Sequence, residues 1–282
     1  MRLHTVSPND RGWTLAWQAK RDELKFERVT QVASRLPKVR QVLGEHLQQD
    51  GMTMERAAAT AVRLLDLGYF RIGNDVYCGE GESFGLTTLE RRHVTRRGDV
   101  LVFDFVGKSG VEHRIEIDDG LAVAAVETMR RRRGGSDRLM AYKDPDRWAD
   151  LDASAVNAYL RERIGHDLTA KDFRTWHATV LAAAALAASD QPGDTKASRR
   201  RAVSGAMKEV ADFLGNTPAV ARGSYVDPRV VDLYEDGVTI ASALERKYRT
   251  PEKRQAALER AVLRMLTTAP ETRSRAERRR DG

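Results

Sequence analysis

Apolar residues recur at helical spacing from about Arg21 to Leu67. Leu36, Val39, Val42, Leu43 and Leu47 fall on one face at separations of three and four, and Ala57, Ala61, Val62 and Leu65 do the same for a second helix. Between Phe84 and Asp118 the period changes to two. Leu101, Phe103 and Phe105 alternate with Val102 and Asp104, Gly107-Lys108-Ser109-Gly110 makes a turn, and Val111, His113, Ile115 and Ile117 alternate again. This predicts a β-hairpin, and a short strand near His93 and Val94 would complete a three-stranded sheet. After Asp119 the pattern returns to helix. Thr169 and Asp172 give a capping signal ahead of Phe173, Trp176, Val180 and Leu181. Ser189 to Ser198 reads as a loop, Arg199-Arg200-Arg201 opens a helix ending near Gly215, and a charged amphipathic helix starts at Pro251. At the amino terminus, Val6 to Thr14 carries turn residues (Ser7, Pro8, Asn9, Asp10, Gly12) that predict a small hairpin or a frayed end. Trp13 and Trp17 show no clear period. The fold class expected is α+β, mostly helical, with a small antiparallel three-stranded sheet.

Composition narrows the function classes. The 282 residues suffice for one large domain or two smaller ones. The net charge of +7 and the pI near 9.6 fit a nucleic-acid binder and fit equally a solvated basic surface. Cys78 is the single cysteine, so an internal disulfide is excluded, as suits a reducing cytosol. The strongest apolar run, Val180 to Ala188, is too short to span a bilayer, and no signal-type segment opens the chain. The expectation is a soluble intracellular protein without a membrane partner. Arg278, Arg279 and Arg280 form a basic tail, either disordered or in contact with DNA.

Four short segments carry candidate chemistry: Arg71 in Phe-Arg-Ile-Gly-Asn, Lys108 in Phe-Val-Gly-Lys-Ser-Gly, Arg174 in Lys-Asp-Phe-Arg-Thr-Trp, and Tyr225 in Arg-Gly-Ser-Tyr-Val. In that order they supply two phosphate clamps, a mobile acid and an oxygen nucleophile, the parts phosphoryl transfer at a DNA backbone requires. Each has a plain structural alternative. Lys108 is either a solvated turn lysine or a proton donor to a leaving oxygen. Arg174, in the first turn of a capped helix, either receives a phosphate at that terminus or pairs with Asp172. Arg71 either points into a cleft or serves as a helix-end cation. Tyr225 is either packing or, between Gly223-Ser224 and Asp227-Pro228, a turn residue with its hydroxyl available. Asn216 either donates an amide N–H to phosphate or caps a helix.

The combination resembles the type IB DNA topoisomerases of bacteria and poxviruses. The similarity runs from about residue 20 to Gly237. It includes Arg-Ile-Gly-Asn at 71–74, Phe-Gly-Leu-Thr-Thr-Leu at 84–89, Phe-Val-Gly-Lys-Ser-Gly-Val-Glu-His at 105–113, Val-Asn-Ala-Tyr-Leu-Arg at 156–161, Thr-Ala-Lys-Asp-Phe-Arg-Thr-Trp at 169–176 and Leu-Gly-Asn-Thr-Pro-Ala-Val at 214–220. The resemblance implies that Tyr225 attacks the scissile phosphate to form a 3′-phosphotyrosyl bond. It implies that Arg71 and Arg174 hold the non-bridging oxygens, that Lys108 protonates the departing 5′ oxygen, and that Asn216, histidine in poxvirus and eukaryotic members, binds the transition state without transferring a proton. Gly73, Tyr77, Lys171 and Arg222 would contact DNA. Tyrosine recombinases share the fold but usually place histidine where Lys171 stands, which favours relaxation over recombination.

The expectation is therefore a monomer acting on double-stranded DNA at the nucleoid, in the cytoplasm, with no ATP, metal or other cofactor. No Walker-type loop or clustered metal-ligand motif is found in the sequence. The alternatives are a recombinase-like strand transferase and a non-catalytic DNA-binding descendant. Residues 1–20 would be the remnant of an amino-terminal clamp domain, 21–250 the catalytic domain (a helical part over 21–70, then sheet and active-site helices), and 251–282 the charged helix and tail.

Overall fold

A computed structural model describes residues 8–73, 83–163, 165, 168–189 and 195–268, with side chains from Leu24 onward. Tyr77, Asn74, Cys78 and the Arg278–Arg280 tail lie outside the described residues.

The first helix, α1, runs unbroken over Pro8–Leu47. This overturns the amino-terminal hairpin. Pro8 is its first residue, and Pro, Asn and Asp favour a helix start as readily as a turn. Phe26, Val29, Leu36, Val39, Leu43 and Leu47 form its buried stripe. The second helix, α2 (Met54–Gly68), starts at Thr53, whose hydroxyl accepts the Arg56 N–H at 3.0 Å. Its Ala57-Ala58-Ala59-Thr60-Ala61 run is buried all round, because small side chains let neighbouring elements approach closely. It packs against α1 and against the later elements α3 (Gly120–Arg130), α4 (Ala153–Arg163) and α5 (Ala170–Ala188). This makes α2 the central element.

The three-stranded antiparallel sheet has the expected form: β1 (Val94–Arg97), β2 (Val100–Val106) and β3 (Glu112–Ile117) in that order. Phe103 pairs with Ile115 and Phe105 with His113. Phe70, just past α2, meets Phe103 edge-on at 5.0 Å and stacks on Phe105 at 5.9 Å. The sheet is thereby fixed to the end of α2 by aromatic packing.

A second small sheet adds to the expected architecture. Strands β4 (Ala141–Asp144) and β5 (Arg147–Asp150) form a hairpin around Pro145-Asp146. Four-residue strands carrying Lys143, Asp144, Arg147 and Asp150 have too few apolar positions to show a period of two.

The helix α6 spans Lys196–Leu214, so it begins before Arg199 and shortens the expected loop. Thr195 is its cap, accepting the Ser198 N–H at 3.2 Å. Gly215 ends it in the left-handed region, φ 60°. Then follow α7 (Pro218–Ser224), α8 (Pro228–Glu235), α9 (Ala241–Leu244) and α10 (Pro251–Thr268). The last packs against α1 and α5. Among the described residues, no helix is long and apolar enough to cross a membrane.

Candidate active site

Three chain breaks meet at the site: the end of α2, the end of α6 and the end of α7. Tyr69 closes α2 in the left-handed conformation, φ 57°, an uncommon place for an aromatic residue. The next residues, Arg71-Ile72-Gly73, run beside Gly85-Leu86-Thr87. Leu86 N–H donates to the Arg71 carbonyl and Thr87 N–H to that of Ile72, each at 2.8 Å. A Cβ on Gly85 would stand 2.5 Å from the Gly73 Cα, so the two motifs can lie this close only as glycines. Gly73 is therefore placed as a backbone contact within the protein.

Arg71 is half-buried and donates to the Gly215 carbonyl at 2.9 Å and to the Asn216 Oδ1 at 2.5 Å. It is thus turned into the cleft rather than capping α2. Asn216 does not cap α6, since Gly215 fills that role. With its amide oxygen held by Arg71, its buried Nδ2 has no partner among the described residues.

Arg174 is the fifth residue of α5 and so opens the second turn rather than lying in the first. Its side chain does not pair with Asp172. That carboxylate accepts the Thr169 N–H at 2.8 Å and Arg28 at 2.7 Å. Arg174 is only 5% exposed and donates to the Leu214 carbonyl at 2.8 Å and to the Tyr69 carbonyl, while its buried Nε has no partner among the described residues. Burial lowers the pKa of its guanidinium, Tyr225 opposes that shift by charge and hydrogen bonding, and Arg71 adds to it. The guanidinium carbon lies 5.4 Å from the centre of the Tyr225 ring.

Tyr225 is half-buried at the end of α7, with its N–H bonded to the Ala221 carbonyl at 3.0 Å. It sits in a turn, as its neighbours implied. The Lys171 ammonium lies 5.9 Å from the same ring centre. Arg71 and Arg174 line a cleft of about 420 Å³ together with Phe105, His113 and Phe213. Lys108 is exposed on the single turn Lys108–Gly110 between β2 and β3, and Arg222 is exposed on α7.

Two supporting features escape a reading of the sequence. His113 lies in the cleft; burial lowers its pKa, and the charges of Arg71 and then Arg174 lower it further. The signals available are its place in the alternation of β3 and its position at the end of the quoted motif at 105–113. Behind Tyr69 stands a buried ionic network. Arg40 bonds Asp66 at 2.8 Å and Glu259 at 2.7 Å, and the His177 Nε2 is 3.1 Å from Asp66. His177 meets the Tyr69 ring edge-on at 4.7 Å. Burial raises the Tyr69 pKa to about 12, and Asp66 and Glu259 push it the same way. These four network residues are scattered over four helices and share no local motif.

The fold and the cluster put the chain among α+β proteins that hold cations without a bonded carboxylate, among the described residues, beside one cleft. Residues 14–250 match the family described as eukaryotic DNA topoisomerase I, catalytic core, and the chain belongs to that family. It is 25% identical over 219 residues to DNA topoisomerase 1B of Acanthamoeba polyphaga mimivirus, covering 75% of this chain and 65% of that one. It is 34% identical over 128 residues to DNA topoisomerase 1 of Daucus carota, covering 45% and 15%. It is 22% identical over 219 residues to DNA topoisomerase I of Monkeypox virus, covering 77% and 65%. The chain thus spans just under two thirds of the length of the viral relatives. These relatives are viral and plant proteins, so the likeness to bacterial members rests on the quoted residues alone.

Proposed function

We propose that this protein relaxes supercoiled DNA by cutting and rejoining one strand through a 3′-phosphotyrosyl intermediate. The observation that carries the reading is the meeting of Arg71, Arg174 and Asn216 around the end of α6, beside Tyr225, where the two guanidinium groups donate to backbone carbonyls and Arg71 also to the Asn216 amide oxygen. Neutral acceptors orient a guanidinium without cancelling its charge, so the cluster is set up for the phosphate of a DNA backbone.

In the reaction, the Tyr225 oxygen attacks the scissile phosphorus and its proton passes to solvent. The phosphorus–O5′ bond breaks, and Lys108 supplies the proton taken up by the departing oxygen. Arg71, Arg174 and the Asn216 N–H group, which has no partner among the described residues, bear the charge that builds on the non-bridging oxygens. The phosphotyrosyl bond keeps the energy of the broken linkage. Reversal therefore reseals the strand without ATP, and no step calls on a metal.

Lys171 beside the Tyr225 ring, with Arg222 and Gly73, would flank the DNA, as would Tyr77 outside the described residues. Residues 21–250 would form the catalytic unit, working as a monomer on the nucleoid in the cytoplasm. The recombinase-like reading is disfavoured by lysine at position 171.

The test is incubation with supercoiled plasmid in EDTA without ATP. Relaxed topoisomers are expected, together with a covalent adduct trapped by detergent. Tyr225→Phe removes one oxygen; it is expected to lose the adduct entirely and to bind DNA as before. An equal adduct from the Phe variant would overturn the assignment.

A further inference from the structure

His113 ties the turn that carries Lys108 to the rest of the cluster. It pairs across the sheet with Phe105, and their rings stack at 5.2 Å with a 25° interplanar angle. The far edge of the imidazole then fills space that two glycines leave open. A Cβ on Gly107 would lie 2.6 Å from the His113 Cδ2 and 2.7 Å from its Nε2. A Cβ on Gly215 would lie 2.5 Å from its Cε1 and 3.0 Å from its Nε2. Gly107 immediately precedes Lys108, and its N–H is bonded to the Val111 carbonyl at 2.7 Å. Gly215 is the residue whose carbonyl accepts Arg71, and Asn216 follows it.

One ring edge thus stands between the backbone that bears the acid and the backbone that holds the phosphate donors. The tip of the turn is open to solvent: Lys108, Ser109 and Gly110 are all exposed, and Ser109 stands at φ 66°.

We infer that His113 is a positioning residue that sets the Lys108 turn against Gly215, and so fixes where the acid stands relative to Arg71, Asn216 and the phosphate. The inference rests on the proposed reaction. It concerns orientation alone; the imidazole takes and gives no proton. Its role is steric, because both glycine contacts are made by the ring edge.

The experiment compares wild type, Lys108→Ala and His113→Ala in single-turnover cleavage of two duplexes. One has a normal scissile phosphodiester; the other has sulfur as the 5′ bridging atom, a leaving group that needs little protonation. On the normal duplex His113→Ala is expected to cleave about tenfold to a hundredfold more slowly, as misplacement of a catalytic group by about 1 Å does. On the sulfur duplex its rate should return to within about twofold of wild type, as for Lys108→Ala, and the double variant should be no slower than Lys108→Ala. A His113→Ala defect of equal size on both duplexes, or none on either, overturns the inference.

A second measurement is independent of catalysis. Amide hydrogen exchange over residues 107–111 should speed up in His113→Ala while α2 is unchanged; equal protection of that turn also overturns the inference. His113→Asn, which keeps part of the ring's volume, is read the same way if the alanine variant melts early. Absence of any adduct from the wild type would instead refute the proposed reaction, and the exchange measurement would still judge the anchor.

Discussion

Tyr69 separates two clusters of buried and half-buried cations that differ in what faces the charge. Its ring touches the first, in which Arg40 is answered by Asp66 and Glu259 and His177 leans on the same carboxylates. Its carbonyl serves the second, in which Arg71 and Arg174 meet carbonyls and an amide oxygen, and neither has a carboxylate partner among the described residues. Burying a cation is costly unless it is paired. The first cluster is paired and ties α1, α2, α5 and α10 together. The second has Glu112, Glu116 and Asp212 along the same cleft but no carboxylate bonded to either guanidinium among the described residues, and two buried N–H donors, the Arg174 Nε and the Asn216 Nδ2, have no partner among them. On the proposed function, a DNA phosphate from outside would complete it. The same residue type is a fastener in one place and, on the proposed function, would receive a phosphate in the other, and the acceptors decide which.

Breaking the first cluster should cost stability. Glu259→Ala removes two hydrogen bonds from Arg40 while Asp66 keeps two, and losing a hydrogen bond to a charged group costs about 1.5–3 kcal/mol. Urea unfolding measures this, and adduct formation per folded molecule should stay near wild type. If cleavage fell as steeply as stability, the two clusters would be acting as one.

Breaking the second should cost rate. Arg174→Ala removes a charged donor to the transition state, and its cleavage of a suicide substrate should fall about 10²–10³-fold. Its unfolding midpoint should move far less than that of Glu259→Ala. A near wild-type rate would make Arg174 structural.

Acid sharpens the contrast more gently. Burial would raise the Asp66 pKa, but hydrogen bonds from Arg40 and then His177 outweigh it and hold the carboxyl well below its usual 3.8. A depressed carboxylate stabilises the fold above its unfolded pKa, and that stabilisation disappears as pH falls through the folded one. Melting temperature should therefore drop below about pH 3.8, and in Asp66→Asn the drop should be shallower. An unchanged slope would remove Asp66 as its source.

The smallest effect belongs to the exposed cations. Lys171→Ala and Arg222→Ala should each weaken DNA binding slightly. Each should also flatten the plot of log affinity against log salt by about one unit, because one fewer phosphate is neutralised and one fewer counterion released. An unchanged slope would place the residue off the DNA.

The sequence is most legible where a residue's environment is set by near neighbours. The stripes of α1 and α2, the β2–β3 hairpin, the Thr169–Asp172 cap and the turn around Tyr225 all follow from spacings of two to four residues. The amino-terminal segment is misleading because Pro8, Asn9 and Asp10 suit a helix start as well as a hairpin. The β4–β5 pair stays hidden because four residues per strand, two of them charged, carry almost no period.

By itself, then, the sequence determined the local elements and, through its quoted motifs, the family and the candidate residues. It could not decide whether Arg71 caps a helix or enters a cleft, whether Arg174 pairs with Asp172, or whether Asn216 ends α6. Those answers depend on the carbonyls of Tyr69, Leu214 and Gly215. Tyr69 is 105 residues from Arg174, and Gly215 is 144 residues from Arg71. A backbone carbonyl is the same chemical group in every residue, so no side-chain pattern marks which one will be an acceptor. Only the packing of α5 against α2 and α6 brings these carbonyls to the guanidinium groups, and that packing decides which cations have no bonded carboxylate among the described residues.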